Sequence, residues 1–293
     1  MAIKKRLADL TIKDNFMFCA VMLDEDNCRG FLERLFNIQI GKIEVSIEKS
    51  IVYHPEYKGI RLDVYAKDEN RTHYDIEMQV LRKGGMEKRS RYYHSHMDIE
   101  FLHNGEEYSM LPNAYVIFIC DFDPFEKKKY CYTFESVCRE DKELSLQDGR
   151  KTIFLSTKGE NDEEVSEELS KFLRFVQADL AESSGDFQDE YVEQLQKSIQ
   201  NIKESREMEE RFMLFQELLN DERTEGRAEG RAEGRAEGRE SMLRVLVRIL
   251  ETKGVIPEEL MKRLAEEEDM DSLGNWIEVA AEIESIDQFL EEM

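Results

Sequence analysis

Residues 59 to 81 carry the side chains whose types and spacing could do chemistry. From Gly59 to Ala66 apolar and polar residues alternate, with Leu62, Val64 and Ala66 on one face and Arg61, Asp63 and Tyr65 on the other. Asp75-Ile76-Glu77-Met78-Gln79-Val80 repeats the pattern, setting Ile76, Met78 and Val80 against Asp75, Glu77 and Gln79. Alternation of period two predicts two strands. A hairpin folded about Asn70 sets Asp63 opposite Glu77 and Arg61 opposite Gln79. Cross-strand partners have Cβ atoms about 4.5 to 5.5 Å apart, and like charges placed there repel. Solvent, a nearby arginine such as Arg61, or a divalent cation held by hard carboxylate oxygens would offset that repulsion. A register slip of one residue would put the acids on opposite faces and remove the need. Spacing therefore leaves two readings, a solvated polar strand face and a metal cradle.

The elements that must position this pair follow from periodicity. Residues 8 to 23 read as a helix starting near Asp14, with Phe16, Phe18, Val21 and Met22 as its apolar set, and residues 28 to 38 as a second, with Phe31, Leu32, Leu35 and Phe36 spaced for burial. Ile43, Val45, Ile47, Ile51 and Tyr53 alternate along a first strand over 43 to 53. After the hairpin, Gly84-Gly85 breaks the chain, and a helix over 86 to 102 contains Lys88, Arg89, Arg91, Tyr92, Tyr93 and His94. With Arg82 and Lys83 this is the densest basic cluster beside the acids. Interleaved Arg and Tyr suit a phosphate backbone, and equally an amphipathic helix with buried tyrosines. His94 and His96, two apart on a helix, do not share a face, which argues against a two-histidine metal site. The apolar run 114 to 120, bounded by Pro112-Asn113 and Asp121-Phe122-Asp123-Pro124, reads as a central strand buried on both faces. Further strands are expected over 129 to 137 and 151 to 156, making a mixed α/β sheet domain over residues 1 to 158.

Beyond it the chain becomes Glu-rich. A helical extension is expected over 159 to 224, with a helix from about 186 to 220 carrying Met208, Phe212, Phe215 and Leu219. Residues 225 to 240 repeat Glu-Gly-Arg-Ala, with Glu at 225, 229, 233 and 237 and Arg at 227, 231, 235 and 239. Like charges stack at i,i+4 and no opposite charges meet, while each glycine costs roughly 1 kcal/mol against Ala. Alone the repeat reads as a marginal helix or a flexible linker. Its small Gly and Ala columns would admit a partner helix closely, so self-association into a homo-oligomer through the C-terminal helices is expected. Residues 241 to 293 read as two or three small helices, Pro257 marking one start.

Composition narrows the function classes. The 293 residues carry a net charge of −24, yet residues 1 to 150 have 23 Lys and Arg against 27 Asp and Glu, so the acidity lies in the C-terminal half. An acidic chain is a poor general polyanion binder, although a local basic patch with bound cations can present a positive surface. Five cysteines without a CxxC pair point to reduced thiols and not to a disulfide framework or zinc site. Basic Lys4, Lys5 and Arg6 are not followed by a signal-peptide cleavage pattern, and no run approaches the ~20 apolar residues of a membrane span. A cytoplasmic protein with no membrane partner is expected.

Gly59-Ile60-Arg61-Leu62-Asp63 and Asp75-Ile76-Glu77-Met78-Gln79 resemble the active-site signature of the PD-(D/E)XK nuclease superfamily. More narrowly, the chain resembles the Rpn-type recombination-promoting nucleases, or PD-(D/E)XK nuclease family transposases. The likeness takes in the Lys13-Asp14-Asn15-Phe16-Met17-Phe18 opening, Arg91-Tyr92-Tyr93, the strand ending Asp121-Phe122 and the repeat with its helical tail. It implies a restriction-endonuclease-like mixed sheet flanked by helices, followed by an all-helical region. It implies that Asp63, Glu77 and the main-chain carbonyl of Met78 hold Mg²⁺, accepting Mn²⁺ in its place. Gln79 would orient the attacking water, and Arg82, Lys83, Lys88, Arg89 and Arg91 would contact DNA. The implied reaction is hydrolysis of DNA phosphodiesters with little sequence preference, linked to recombination or mobile elements. The superfamily places lysine where this chain has Gln79; an amide orients water but brings no charge. The alternative is a nuclease-like interaction protein of weak or no activity, acting through its helical C-terminal region.

Overall fold

The computed structural model describes residues 5–51 and 60–293, so Tyr53 and Gly59 of the expected strands lie outside the described residues. The chain divides into two compact units, Met1–Met213 and Leu214–Met293. The first contains, in chain order, α1 (Asn15–Met22), α2 (Glu25–Phe36), β1 (Ile43–Ile51), β2 (Ile60–Asp68), β3 (His73–Gln79), α3 (Met86–Phe101), β4 (Ala114–Cys120), β5 (Cys131–Phe134), β6 (Arg150–Ser156), α4 (Glu167–Gln177) and α5 (Glu190–Glu204). The strands form one mixed sheet in the order β1-β2-β3-β4-β6-β5. The β1–β2, β2–β3 and β5–β6 pairs are antiparallel, while β3–β4 and β4–β6 are parallel. This is the mixed α/β sheet expected, with the expected hairpin register: Val64 faces Ile76 and Tyr65 faces Asp75.

Local chemistry fixes the hairpin and the helix after it. At the turn, Asp68 Oδ1 accepts the N–H groups of Asn70 and Thr72 while Arg71 takes a left-handed φ of 63°, and the Tyr74 hydroxyl donates to Asp68 Oδ2 at 2.8 Å. That buried bond centres the hairpin on Asn70 and ties the turn to β3. At the far end Gly85 caps α3 with a φ of 82°, a conformation that costs a residue with a Cβ but not glycine. Strand β3 therefore stops shortly before a helix whose first turn lies beside the strand's carboxyl end.

Every residue of β3 is buried. On one face Tyr74 packs its ring with Phe36 of α2 and Tyr115 of β4. On the other, Asp75, Glu77 and Gln79 are level with Val116, Phe118 and Cys120 of β4, whose side chains share a core with Met86, Tyr93 and Met97 of α3. The alternation in β3 thus separates two buried faces, one apolar and one polar. It does not separate core from solvent.

Two expectations about the first unit's end are corrected. Helices α4 and α5 do not form an extension apart from the sheet domain: Phe172 packs on Phe31 of α2 with ring centroids 5.1 Å apart, and the Tyr191 hydroxyl donates to Asn27 O at 2.6 Å. Gly30 makes this docking feasible, since a Cβ there would stand 2.6 Å from the Tyr191 ring. The domain edge expected at residue 158 accordingly falls near Met213. The single helix expected over 186 to 220 is interrupted at Ser205, whose ψ of 118° ends α5. A new helix, α6 (Arg206–Glu251), then begins.

Helix α6 runs through the Glu-Gly-Arg-Ala repeat, where a marginal helix or linker was expected. Propagation costs far less than nucleation. The repeat is flanked by turns that packing already holds, at buried Phe212 on one side and buried Leu246 and Leu250 on the other. The second unit adds α7 (Glu258–Glu266), α8 (Met270–Glu282) and α9 (Ile286–Glu292). Leu246, Leu250, Leu260, Leu264, Leu273, Ala280 and Phe289 make its core, with Trp276 and Ile277 packed against it. Asp269 and Ser285 cap α8 and α9 by accepting the N–H groups of Ser272 and Gln288. Among the described residues no helix is long and apolar enough to cross a membrane.

Candidate active site

The paired stretch of β2 and β3 runs from Lys67–His73 to Val64–Ile76. One residue further along the same register stand Asp63 and Glu77, and here side chains take over from the ladder. The Asp63 N–H donates to Glu77 Oε1 at 3.2 Å, and the Met78 N–H donates to Asp63 Oδ2 at 3.3 Å. Each carboxylate thus reaches across to the other strand's backbone. The sequence-derived pairing of Asp63 with Glu77 is present as a reciprocal exchange between two parting strands.

Water does not offset the repulsion, because Glu77 is only 1 % exposed. The cation facing the pair comes from α3. Arg89 Nη2 ion-pairs with Glu77 Oε2, its Nη1 donates to Gln79 Oε1 at 2.9 Å and its Nε to the Tyr93 hydroxyl at 2.8 Å. Arg61, the arginine proposed from the hairpin register, adds a smaller attraction on Asp63. The solvated-face reading fails on burial.

Burial dominates the protonation of this corner. It raises the pKa of Asp63, against hydrogen bonds from Asn15 and the Met78 N–H and the attraction of Arg89. It pushes Glu77 up to about 7, helped by the Asp63 charge and opposed by Arg89. Asp75, fully buried, is driven well above the usual carboxylate range by desolvation and then by repulsion from Glu77 and Asp63. Among the described residues no separate donor satisfies its carboxyl oxygens, and only in its protonated form can it bond to Glu77. Three acids thus crowd around Arg89, with Arg61 a weaker second attraction on Asp63, and burial favours their protonated forms. The deficit is for positive charge in a nest of hard oxygens, the donor chemistry that suits Mg²⁺. Among the described residues no group of three or more His, Cys, Asp and Glu is arranged to hold a metal ion. A site with only two carboxylates is compatible with Mg²⁺, which retains several waters and tolerates few protein ligands.

Of the other residues singled out in the sequence, Gln79 is 7 % exposed and held at both ends of its amide, by Arg89 at the oxygen and by the Leu81 carbonyl, which accepts from Nε2 at 2.8 Å. Lys83, Lys88 and Arg91 are exposed. Arg82 pairs with Glu126 at 2.5 Å and, with Lys83, Phe122 and Phe125, lines a cavity of about 330 Å³. Arg89 differs from these four in turning inward. Tyr93 is buried beneath it and Tyr92 is exposed, so the helix is both amphipathic and basic.

Three residues that the sequence motifs contain were given no role there. Asp75 had a usable signal, since it lies two residues before Glu77 on the same face of a strand. Asn15 and Asp121 had none at the level of spacing. Asn15 opens α1 and reaches Asp63. Asp121 follows β4, donates its N–H to Gln79 O at 3.0 Å, and binds Lys13 at 3.1 Å and the Thr157 hydroxyl at 2.8 Å. These contacts exist only once parallel β3, β4 and β6 end together.

A family model described as PD-(D/E)XK nuclease family transposase matches residues 16–225. No curated protein and no solved structure gives a significant match.

The pH dependence of stability tests the electrostatics. Folding raises the Glu77 pKa from 4.5 to about 7. Between these values the folded protein keeps a proton that the unfolded chain has released, so this residue's contribution to stability falls as pH rises through the window. In thermal unfolding without divalent ions, the melting temperature of Glu77→Gln should gain on wild type by several degrees from pH 5 to pH 8. A gap independent of pH would contradict the assignment.

Proposed function

The chain belongs to the PD-(D/E)XK nuclease family transposases, and from that premise we propose that it is a metal-dependent DNA endonuclease. The observation that carries the proposal is the Asp63–Glu77 pair at the parting of β2 and β3, each carboxylate bonded to the other strand's backbone N–H and each pKa raised by burial. In this reading Asp63, Glu77 and the Met78 carbonyl hold Mg²⁺, or Mn²⁺ in its place. When bound, the ion supplies acidification of water and electrostatic stabilisation of the phosphate.

The chain's own residues do the rest. Backbone N–H groups of Asp63 and Met78 fix both carboxylates from across the hairpin, so neither has to be immobilised when substrate arrives. Arg89 favours the ionised form of Glu77 that a metal requires, against the burial that raises its pKa. The oxygen and one hydrogen of the Gln79 amide are already engaged, which leaves its second N–H to orient the attacking water. Lys83, Lys88 and Arg91, exposed on and before α3, and Arg82 beside them are the proposed phosphate contacts. With so few of them on an acidic chain, binding should be weak and salt-sensitive. Contacts of this kind read no base edges, in keeping with little sequence preference. A link to recombination or mobile elements follows from the transposase family.

Self-association is a second proposal and concerns α6. A Cβ built at Gly226, Gly230 or Gly234 meets nothing within 4 Å, which leaves room there for a second copy of the helix.

The activity is tested by supercoiled plasmid nicking with Mg²⁺. Wild type should nick, EDTA should abolish nicking, and Asp63→Ala and Glu77→Ala should each lose at least ~100-fold, the scale of removing central transition-state electrostatics. Equal nicking by all three proteins would remove the assigned site. No nicking by folded wild type would favour the non-catalytic interaction protein. For α6, deletion of residues 225 to 239 should reduce the particle mass in sedimentation equilibrium; an unchanged mass would dismiss self-association through the repeat.

A further inference from the structure

Position 79 is neutral, yet the site has a fixed cation. The Arg89 guanidinium packs against two rings, 5.0 Å from the Tyr93 ring centroid and 5.3 Å from that of Phe118. Three of its five N–H groups are committed: Nε–H to the Tyr93 hydroxyl, one of Nη1 to Gln79 Oε1 and one of Nη2 to Glu77 Oε2. Bonds from all three nitrogens set the plane of the group as well as its position, which a flexible ammonium could not do. Its side chain is nevertheless 30 % exposed, against 2 % for Glu77. Two N–H groups, one on each terminal nitrogen, therefore remain for an anion arriving at the carboxyl end of β3.

We propose that Arg89 supplies from α3 the positive charge that Gln79 does not bring, donating to a substrate phosphate oxygen, with Gln79 as the residue that aims it. The inference rests on the nuclease reading. It separates Arg89 from Arg82, Lys83, Lys88 and Arg91, whose exposed side chains suit affinity for the DNA backbone. Arg89 is held before DNA arrives and touches the same carboxylate as the proposed metal, so its effect belongs to the rate and hardly to binding. Its pairing with Gln79 makes a stronger demand. A lysine at position 79 would crowd a second cation against Arg89, but would restore a missing charge where Arg89 is absent.

The test measures single-turnover nicking of supercoiled plasmid with Mg²⁺, and plasmid affinity with Ca²⁺ replacing Mg²⁺, for full-length wild type, Asp63→Ala, Arg89→Gln, Arg89→Lys, Gln79→Lys and Arg89→Gln/Gln79→Lys. Thermal unfolding of each variant is followed alongside. Arg89→Gln should lose roughly 100-fold in rate with affinity within about threefold of wild type, and Arg89→Lys should lose less. Gln79→Lys should slow the wild-type chain, yet the double variant should nick at least ~10-fold faster than Arg89→Gln, a reversal of sign expected only of directly coupled residues. Arg89→Gln nicking within about threefold of wild type would overturn the proposal, as would a fall in affinity matching the fall in rate, the behaviour of a backbone contact. If Arg89→Gln fails to fold, an Arg89→Lys chain that folds and nicks no faster than Asp63→Ala would overturn it, and one retaining a measurable Mg²⁺-dependent rate would support it. Wild type lacking any Mg²⁺-dependent nicking that Asp63→Ala removes would instead reject the nuclease reading itself.

Discussion

Asp75 and Glu77 leave water together at one corner of the sheet with Asp63 half-buried beside them, and Arg89 is the guanidinium that ion-pairs with Glu77. Burying an ionised carboxylate is costly unless donors or cations replace its hydration. The neighbourhood supplies donors sparingly: two backbone N–H groups lent across the hairpin, Asn15 from α1, and the fork of Arg89. What remains shows in the carboxyl pKa values, with burial driving Asp75 well above the usual carboxylate range and Glu77 up to about 7. This requirement explains the surroundings. The hairpin must part for side chains to reach backbone N–H groups, β3 must be internal for the acids to be dry, and α3 must begin close enough for Arg89 to turn back onto the strand it follows.

Much of this architecture was legible because it rests on local rules. Asn70 at the centre of two alternating stretches fixed the register, and Val64 does face Ile76. Gly84-Gly85 marked the start of α3, and the apolar run 114 to 120 is the buried strand β4. The environment of those elements was less legible. Alternation reports that Asp75, Glu77 and Gln79 share a face, but a polar face covered by Tyr93 and Arg89 has the same periodicity as a wet one. Arg89 and Arg91 look alike in sequence, and only the packing of α3 on β4 shows that the first turns inward while the second stays exposed. The interruption at Ser205 and the docking of Tyr191 against Gly30 likewise depend on contacts between residues far apart in the chain.

The acidic balance also changes meaning once the fold is known. Part of the acidity of the N-terminal half belongs to the dry corner, where protonation and Arg89 keep it from acting as exposed negative charge, while Lys83, Lys88 and Arg91 lie exposed nearby. The repeat illustrates the converse. Its charges predict little helix in isolation, yet a continuous helix forms between two packed ends, because the segments that flank it decide its conformation.

A metal bound at this corner, as proposed, would displace protons from carboxyls whose pKa values burial raises. Isothermal titration of Mg²⁺ into the metal-free protein near pH 7, repeated in buffers of different ionisation enthalpy, measures it directly. Binding should displace protons, so that the observed enthalpy varies with the buffer, and Asp63→Asn and Glu77→Gln should lose that binding. Binding of equal strength to wild type and both variants, or an enthalpy independent of buffer, would contradict it.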